Sequence, residues 1–289
     1  METEVRLKMN SEQLLPKLPV DDWVEKLVVF LKEYFPMIFS AISDAVSWMT
    51  KGLVSLLSIG PPIVLILILA LLSWWIVNWR LGLFTLIGLG LIDNLGYWSE
   101  TIDTLALILI SVIFSIVIGV PIGIWMSQRN AVQTIVTPIL DFMQTMPAFV
   151  YLIPAVVFFS LGVVPGVIAT IIFAMPPTVR LTNLGIRQVD EELIEAANAF
   201  GATTGQRLFK VQLPLATPTI MAGINQTIML SLSMVVVASL VGAPGLGTIV
   251  YRSITQVDIG MGFESGLALV ILAMVLDRMT QGKPKRQKA

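Results

Sequence analysis

The chain has 289 residues, 56% of them hydrophobic and only 13% charged, and its mean hydropathy is +0.86. Soluble domains carry about 25% charge, so lipid is the expected solvent for most of this chain, and the length suits one bundle of several transmembrane helices. The net charge of −1 gives no electrostatic footprint for nucleic acid, the lack of cysteine excludes disulfides and thiolate chemistry, and the lack of histidine removes the commonest general base and metal ligand.

Residues 1–20 are polar and read as a loose tail with Pro16 and Pro19, and the N-terminal segment does not read as a secretory signal, since the first long apolar run starts near Pro62. Between 21 and 59, Ile38, Phe39, Ile42, Val46, Met49, Leu53 and Leu57 recur at helical spacing opposite Ser43, Asp44, Ser47 and Lys51. That pattern predicts an amphipathic helix, either lying in the membrane interface or packed on the bundle. Seven spans follow: Pro62–Trp79, Leu81–Trp98, Thr104–Met126, Phe142–Leu161, Val163–Val179, Leu215–Val241 and Ile259–Leu276. Trp74, Trp75 and Trp79 form an interfacial belt at the end of the first. The expected class is therefore an all-α integral membrane protein. Its parts are an N-terminal segment (1–61), two peripheral spans (62–98), a core (99–278) and a basic tail (279–289).

Alternation through seven spans puts Arg80, Arg129, Arg180, Arg187, Arg207, Lys210, Arg278 and the tail lysines on one face, which the positive-inside rule makes cytoplasmic. The opposite loops hold one basic residue, Arg252. This places the N-terminal tail outside; residues 1–61 carry six basic and eight acidic residues, so translocation is allowed, and the tail lies inside if residues 36–59 span. Charge is absent from most span interiors, and Asp93, Asp141, Glu264 and Asp277 sit near span ends, which speaks against an ion-coupled carrier. No Gly-x-x-x-x-Gly-Lys-Ser/Thr phosphate loop occurs; Gly242–Gly247 reads as a tight break before a short surface segment.

The longest basic-side loop, residues 185–214, carries two predicted short helices. Asp190 is placed to cap the first, Gly201 to end it, and Thr203 with Gln206 to open the second as a capping box. Pro214 is expected to stop the second helix at Leu213. Glu195-Ala196-Ala197, three residues, Gly201, nine residues, then Val211-Gln212-Leu213-Pro214 resembles the EAA loop of bacterial ABC importer permeases of type I, with valine where the family has isoleucine. Thr137–Tyr151, Ala174–Pro177, Gly242–Gly247 and Leu83–Gly88 resemble the glycine betaine/proline betaine branch, and the likeness covers about 80% of the chain.

The resemblance implies a permease for glycine betaine or a related osmoprotectant in a bacterial cytoplasmic membrane. Other small solutes such as choline, carnitine, proline or methionine remain open, with an ion-coupled carrier as the rival class. Glu195, Ala196, Ala197, Gly201, Leu213 and Pro214 would then dock on an ATPase subunit. The permease would work as a homodimer with two such subunits and a separate extracytoplasmic binding protein, since no receptor domain follows the last span. ATP and magnesium would act in the ATPase, and this chain would hold no cofactor, metal or catalytic residue. A methylated ammonium offers no hydrogen-bond donor, so aromatic faces suit it; Met143, Gln144, Met146, Phe149 and Tyr151 are candidate pathway residues. Pro147, Pro154, Pro176 and Pro177 are either hinges that free carbonyls or inert kinks.

Overall fold

The structure, a computed structural model, describes residues 18–282. The polar tail before Leu18 and the basic run Lys283–Lys288 lie outside the described residues. Contacts divide the chain into two units, Met1–Ile42 and Ser43–Ala289. In the first, α1 (Val20–Tyr34) stops ahead of Pro36, whose ring cannot continue a helix, and α2 (Pro36–Leu57) begins there. Phe30 stacks on Tyr34 at 4.5 Å between ring centroids, and Trp23 and Leu27 lie exposed on the same helix.

The second unit is helical, with no strand, among its described residues. It contains α3 (Pro62–Ile76), α4 (Trp79–Asn94), α5 (Trp98–Gln128), α6 (Asn130–Thr145), α7 (Leu152–Phe159), α8 (Val163–Ala174), α9 (Pro176–Arg187), α10 (Glu191–Ala199), α11 (Thr204–Arg207), α12 (Leu213–Ser239), α13 (Leu246–Gln256) and α14 (Ile259–Gln281). Its largest core joins Ile66 of α3, Leu89 and Ile92 of α4, Leu105 and Ile108 of α5, Leu232 of α12 and Leu272 of α14. A second core receives Val46, with Met49 and Leu53 beside it, against Leu107, Val164 and Val167. The apolar stripe of this part of α2 therefore packs on the bundle, the second of the two readings left open.

By length and apolar composition, four segments can cross a membrane: Trp98–Gln128, Val163–Arg187, Thr204–Ser239 and Ile259–Gln281. Two bent pairs raise this to six, against seven spans read from hydropathy. Composition cannot see bends. The fourth expected span is broken at Met146-Pro147, where α6 and the helical turn Ala148–Tyr151 with α7 meet at 106°. The first two expected spans are short helices of 15 and 16 residues. Span five runs past Val179 to Arg187, because Pro176 and Pro177 occupy a helix start, where a missing N–H costs no bond.

Hydrogen bonds fix which helix ends lie together. Arg187 at the end of α9 donates to the Met126 carbonyl and to Asn130 Oδ1, both at 2.9 Å, at the end of α5. At the other end Gly162 N donates to the Val241 carbonyl at 2.8 Å, and Leu246 N to Thr104 Oγ1 at 2.8 Å. Tyr97 Oη donates to Glu264 at 2.9 Å, joining the start of α5 to the start of α14. The α6–α7 pair thus leads from one end to the other, as a bent span and not as a loop that returns. Gly242–Gly247 holds the expected tight break, with Gly242 and Gly245 at φ +88° and +128°, but the short helix after it is partly sunk in the bundle: Leu246 is fully buried, and a Cβ on Gly247 would collide with the Val235 backbone.

Candidate functional site

The loop resembling the EAA motif hangs between α9 and α12, and both anchors are packed at close range. A Cβ on Gly123 of α5 would sit 2.6 Å from Thr182, and one on Gly223 of α12 would sit 3.0 Å from the Pro177 carbonyl. Small residues let backbones approach this closely in membrane bundles. Inside the α9 contact Thr178 donates to Thr227 Oγ1 at 2.8 Å, and Thr227 donates to the Ala174 carbonyl at 2.8 Å. One carbonyl at the α8–α9 junction, that of Ala174, is thus bonded by a side chain. At the root of the loop Ile186, Leu208 and Ala216 are buried together, with Leu213 packed against them.

Beyond that root the loop is open. No residue of α10 is buried. Glu195 and Ala196 are exposed and Ala197 is half-buried, while Phe200 is 93% exposed. Asp190 stands at the N-cap but its side chain makes no capping bond; Glu191 and Glu192 supply negative charge to the first turn instead. The far end is closed more firmly. Gly201 N donates to the Asn198 carbonyl at 2.9 Å and Ala202 N to the Ala197 carbonyl at 3.0 Å, with Gly201 at φ +76°. This is a Schellman closure, and its left-handed position favours glycine. The four-residue step from Ala197 to Gly201 is the distance such a closure requires. Thr203 and Gln206 then form both bonds of the expected capping box, at 3.3 and 2.9 Å.

The expected stop at Pro214 does not occur. Residues Leu208–Gln212 form one π-helical turn that runs directly into α12, with Pro214 in its first turn. The wider turn has a different backbone bonding register, and proline in a first turn forfeits little. Pro214 is exposed, whereas Leu213 is half-buried at the root.

The second set of candidates does not form one surface. Tyr151 is 7% exposed, and its hydroxyl donates to the Met143 carbonyl at 2.7 Å across the bend. Met143 packs on Met126, Leu140 and Val179, and Met146 on Tyr151 and Met234. Gln144 is exposed and Phe149 is 58% exposed, so only these two of the five face outward. Sequence reasoning missed the 2.6 Å ion pair between Arg180 of α9 and Asp141 of α6. The residues were visible as charges at two separate span ends, but nothing in their spacing pairs them. Among the described residues no group of His, Cys, Asp or Glu is placed to hold a metal.

Residues 115–278 match the family model of binding-protein-dependent transport system inner membrane components. The chain is 58% identical over 275 residues to the glycine betaine transport system permease protein OpuAB of Bacillus subtilis, covering 95% of this chain and 98% of that one. It is 51% identical to the glycine betaine/carnitine transport permease protein GbuB of Listeria monocytogenes, covering 95% and 99%. A solved inward-facing structure of the MetNI methionine ABC transporter aligns with a TM-score of 0.56 at 25% identity, over 62% of this chain and 92% of the other. With a helical fold of long apolar segments among the described residues, a family-model match over residues 115–278 and relatives at 58% and 51% identity, this chain belongs to the family of binding-protein-dependent transport system inner membrane components.

Proposed function

We propose that the chain is the membrane-spanning permease subunit of an ATP-driven importer for glycine betaine or a closely related quaternary ammonium solute. The observation that carries the reading is α10, an exposed helix without a buried residue, mounted on two closely packed helices. Such an element is built to be gripped by a soluble partner. The names of the two relatives support the solute class, with carnitine as the second candidate.

In this reading two copies of the chain pair in the bacterial cytoplasmic membrane, each above one ATPase subunit that binds ATP and magnesium. A separate binding protein delivers the solute from outside. Glu195, Ala196, Ala197 and Gly201 form the docking helix and its closure. Leu213 and Pro214 root the loop in α12, so that motion of α10 reaches α9 and α12 together. Gln144 and Phe149 offer weak contacts to the passing solute, while Met143, Met146 and Tyr151 hold the bend that presents them. The chain makes and breaks no covalent bond.

The test is ATP-dependent uptake of radiolabelled glycine betaine into proteoliposomes holding this chain, its ATPase and its binding protein, beside a Gly201→Asp variant. Uptake by the wild type and none by an assembled variant is expected. ATPase activity stimulated only by a different solute would overturn the substrate and keep the permease; uptake without any ATPase would overturn the permease.

A further inference from the structure

The basic ends of α4 and α14 enclose a groove of about 510 Å³ that the transport reading does not use. Asn78, Arg80, Leu81 and Phe84 line one wall, and Arg278 and Gln281 the other. No carboxylate lines it. Arg80 and Arg278 are exposed, and neither has an ion-pair partner among the described residues. The Arg80 guanidinium lies 5.9 Å from the Trp79 ring, a cation–π contact that leaves its donors available. In the sequence, Lys283, Lys285, Arg286 and Lys288 follow directly after the α14 end.

A second trough of about 490 Å³ runs between α3 and α4, sharing only α4 with the first groove, its walls formed by Leu71, Trp74, Trp79 and Leu83 with almost no polar atom. Leu71, Trp74 and Leu83 are 59%, 58% and 48% exposed, an apolar outward face that acyl chains suit in a bilayer. Trp79 borders this trough and touches Arg80 of the first groove. Two guanidiniums without an ion-pair partner, with the nearby Asp277 carboxylate engaged by Gln281 Nε2 at 2.7 Å, and an apolar slot on the neighbouring face of α4 bordered by Trp74 and Trp79 match the two halves of one amphiphile. Guanidinium forks suit phosphate oxygens in particular.

We propose that this groove is a specific site for the phosphate headgroup of an anionic membrane phospholipid, with one acyl chain lying in the trough beside α3 and α4. The site is independent of the transported solute. Two arginines near anionic headgroups correspond to an affinity difference of about thirtyfold.

The test titrates the full-length chain in mild detergent with dioleoylphosphatidylglycerol, dioleoylphosphatidylcholine or sodium phosphate, and counts bound ligand by native mass spectrometry. The wild type is expected to retain phosphatidylglycerol in preference to phosphatidylcholine. The R80Q/R278Q double variant should bind it about thirtyfold more weakly, and Arg252→Gln should bind as the wild type does. Leu83→Trp, which fills the trough, should weaken lipid binding independently of the arginines. Wild-type binding by the double variant overturns the site. Binding of phosphate alone with no effect of Leu83→Trp overturns the lipid as occupant, leaving a free-anion site.

Discussion

The Met126 carbonyl accepts a 2.9 Å hydrogen bond from the guanidinium of Arg187, 61 residues further along the chain. The same side chain reaches Asn183 Oδ1 at 3.0 Å and Asn130 Oδ1 at 2.9 Å. It fastens the end of α9 to the α5–α6 corner just where the exposed loop departs. Arg187→Ala should cost about 1 kcal/mol after allowance for its exposure. Uptake should fall several-fold more than receptor-independent ATPase activity, because the end of α9 would move apart from α5. Thermal unfolding and the ratio of transport to hydrolysis check both expectations.

Phe200 is 93% exposed at the end of α10 and contributes nothing visible to the fold. Phe200→Ser should leave the unfolding midpoint nearly unchanged, within about 0.5 kcal/mol. Co-purification of the ATPase should fall about tenfold if the ring is an anchor of the order of 1.4 kcal/mol or more. A pull-down with tagged ATPase separates the two effects.

Gly201 holds φ +76° with open space where a side chain would stand. Substitution there meets backbone strain and no collision. Gly201→Val should therefore destabilise the α10 closure by about 1–2 kcal/mol, while Gly201→Asn should be milder, since asparagine tolerates the left-handed region. Uptake should follow the order glycine, asparagine, valine.

Thr227 is fully buried and serves as both acceptor and donor between α8, α9 and α12. Thr227→Val leaves the Thr178 hydroxyl and the Ala174 carbonyl without their partner, at a cost of about 1–3 kcal/mol. The Thr178→Val, Thr227→Val pair should cost less than the sum of the single changes, since the second removes one orphan. A double-mutant cycle read by thermal unfolding in detergent measures the coupling.

Tyr151→Phe removes only the bond to the Met143 carbonyl and should cost about 1 kcal/mol. Phe149→Ala should leave stability alone and lower solute uptake, because its ring is exposed and Tyr151's is not. Reversed outcomes in paired uptake and unfolding assays would place the solute contact on the buried ring.

The sequence by itself determined what depends on near neighbours. Long apolar runs announced the helices α5 and α12, and a run broken by Glu264 announced α14, because their length and composition leave no other way to satisfy the backbone in lipid. The α10 closure at Gly201 and the capping box at Thr203 were legible because each is closed within six residues. Tertiary structure alone decided the rest. The 106° bend at Pro147 depends on Tyr151 meeting Met143 and on Met146 packing against Met234. Burial of Leu246 depends on Thr104, 142 residues away. The continuation through Pro214 depends on a π turn seated over Ile186 and Ala216. Hydropathy counts residues along one helix, whereas these features arise from which helices touch, and that is set by glycine-sized gaps and buried hydroxyls that a linear pattern does not pair.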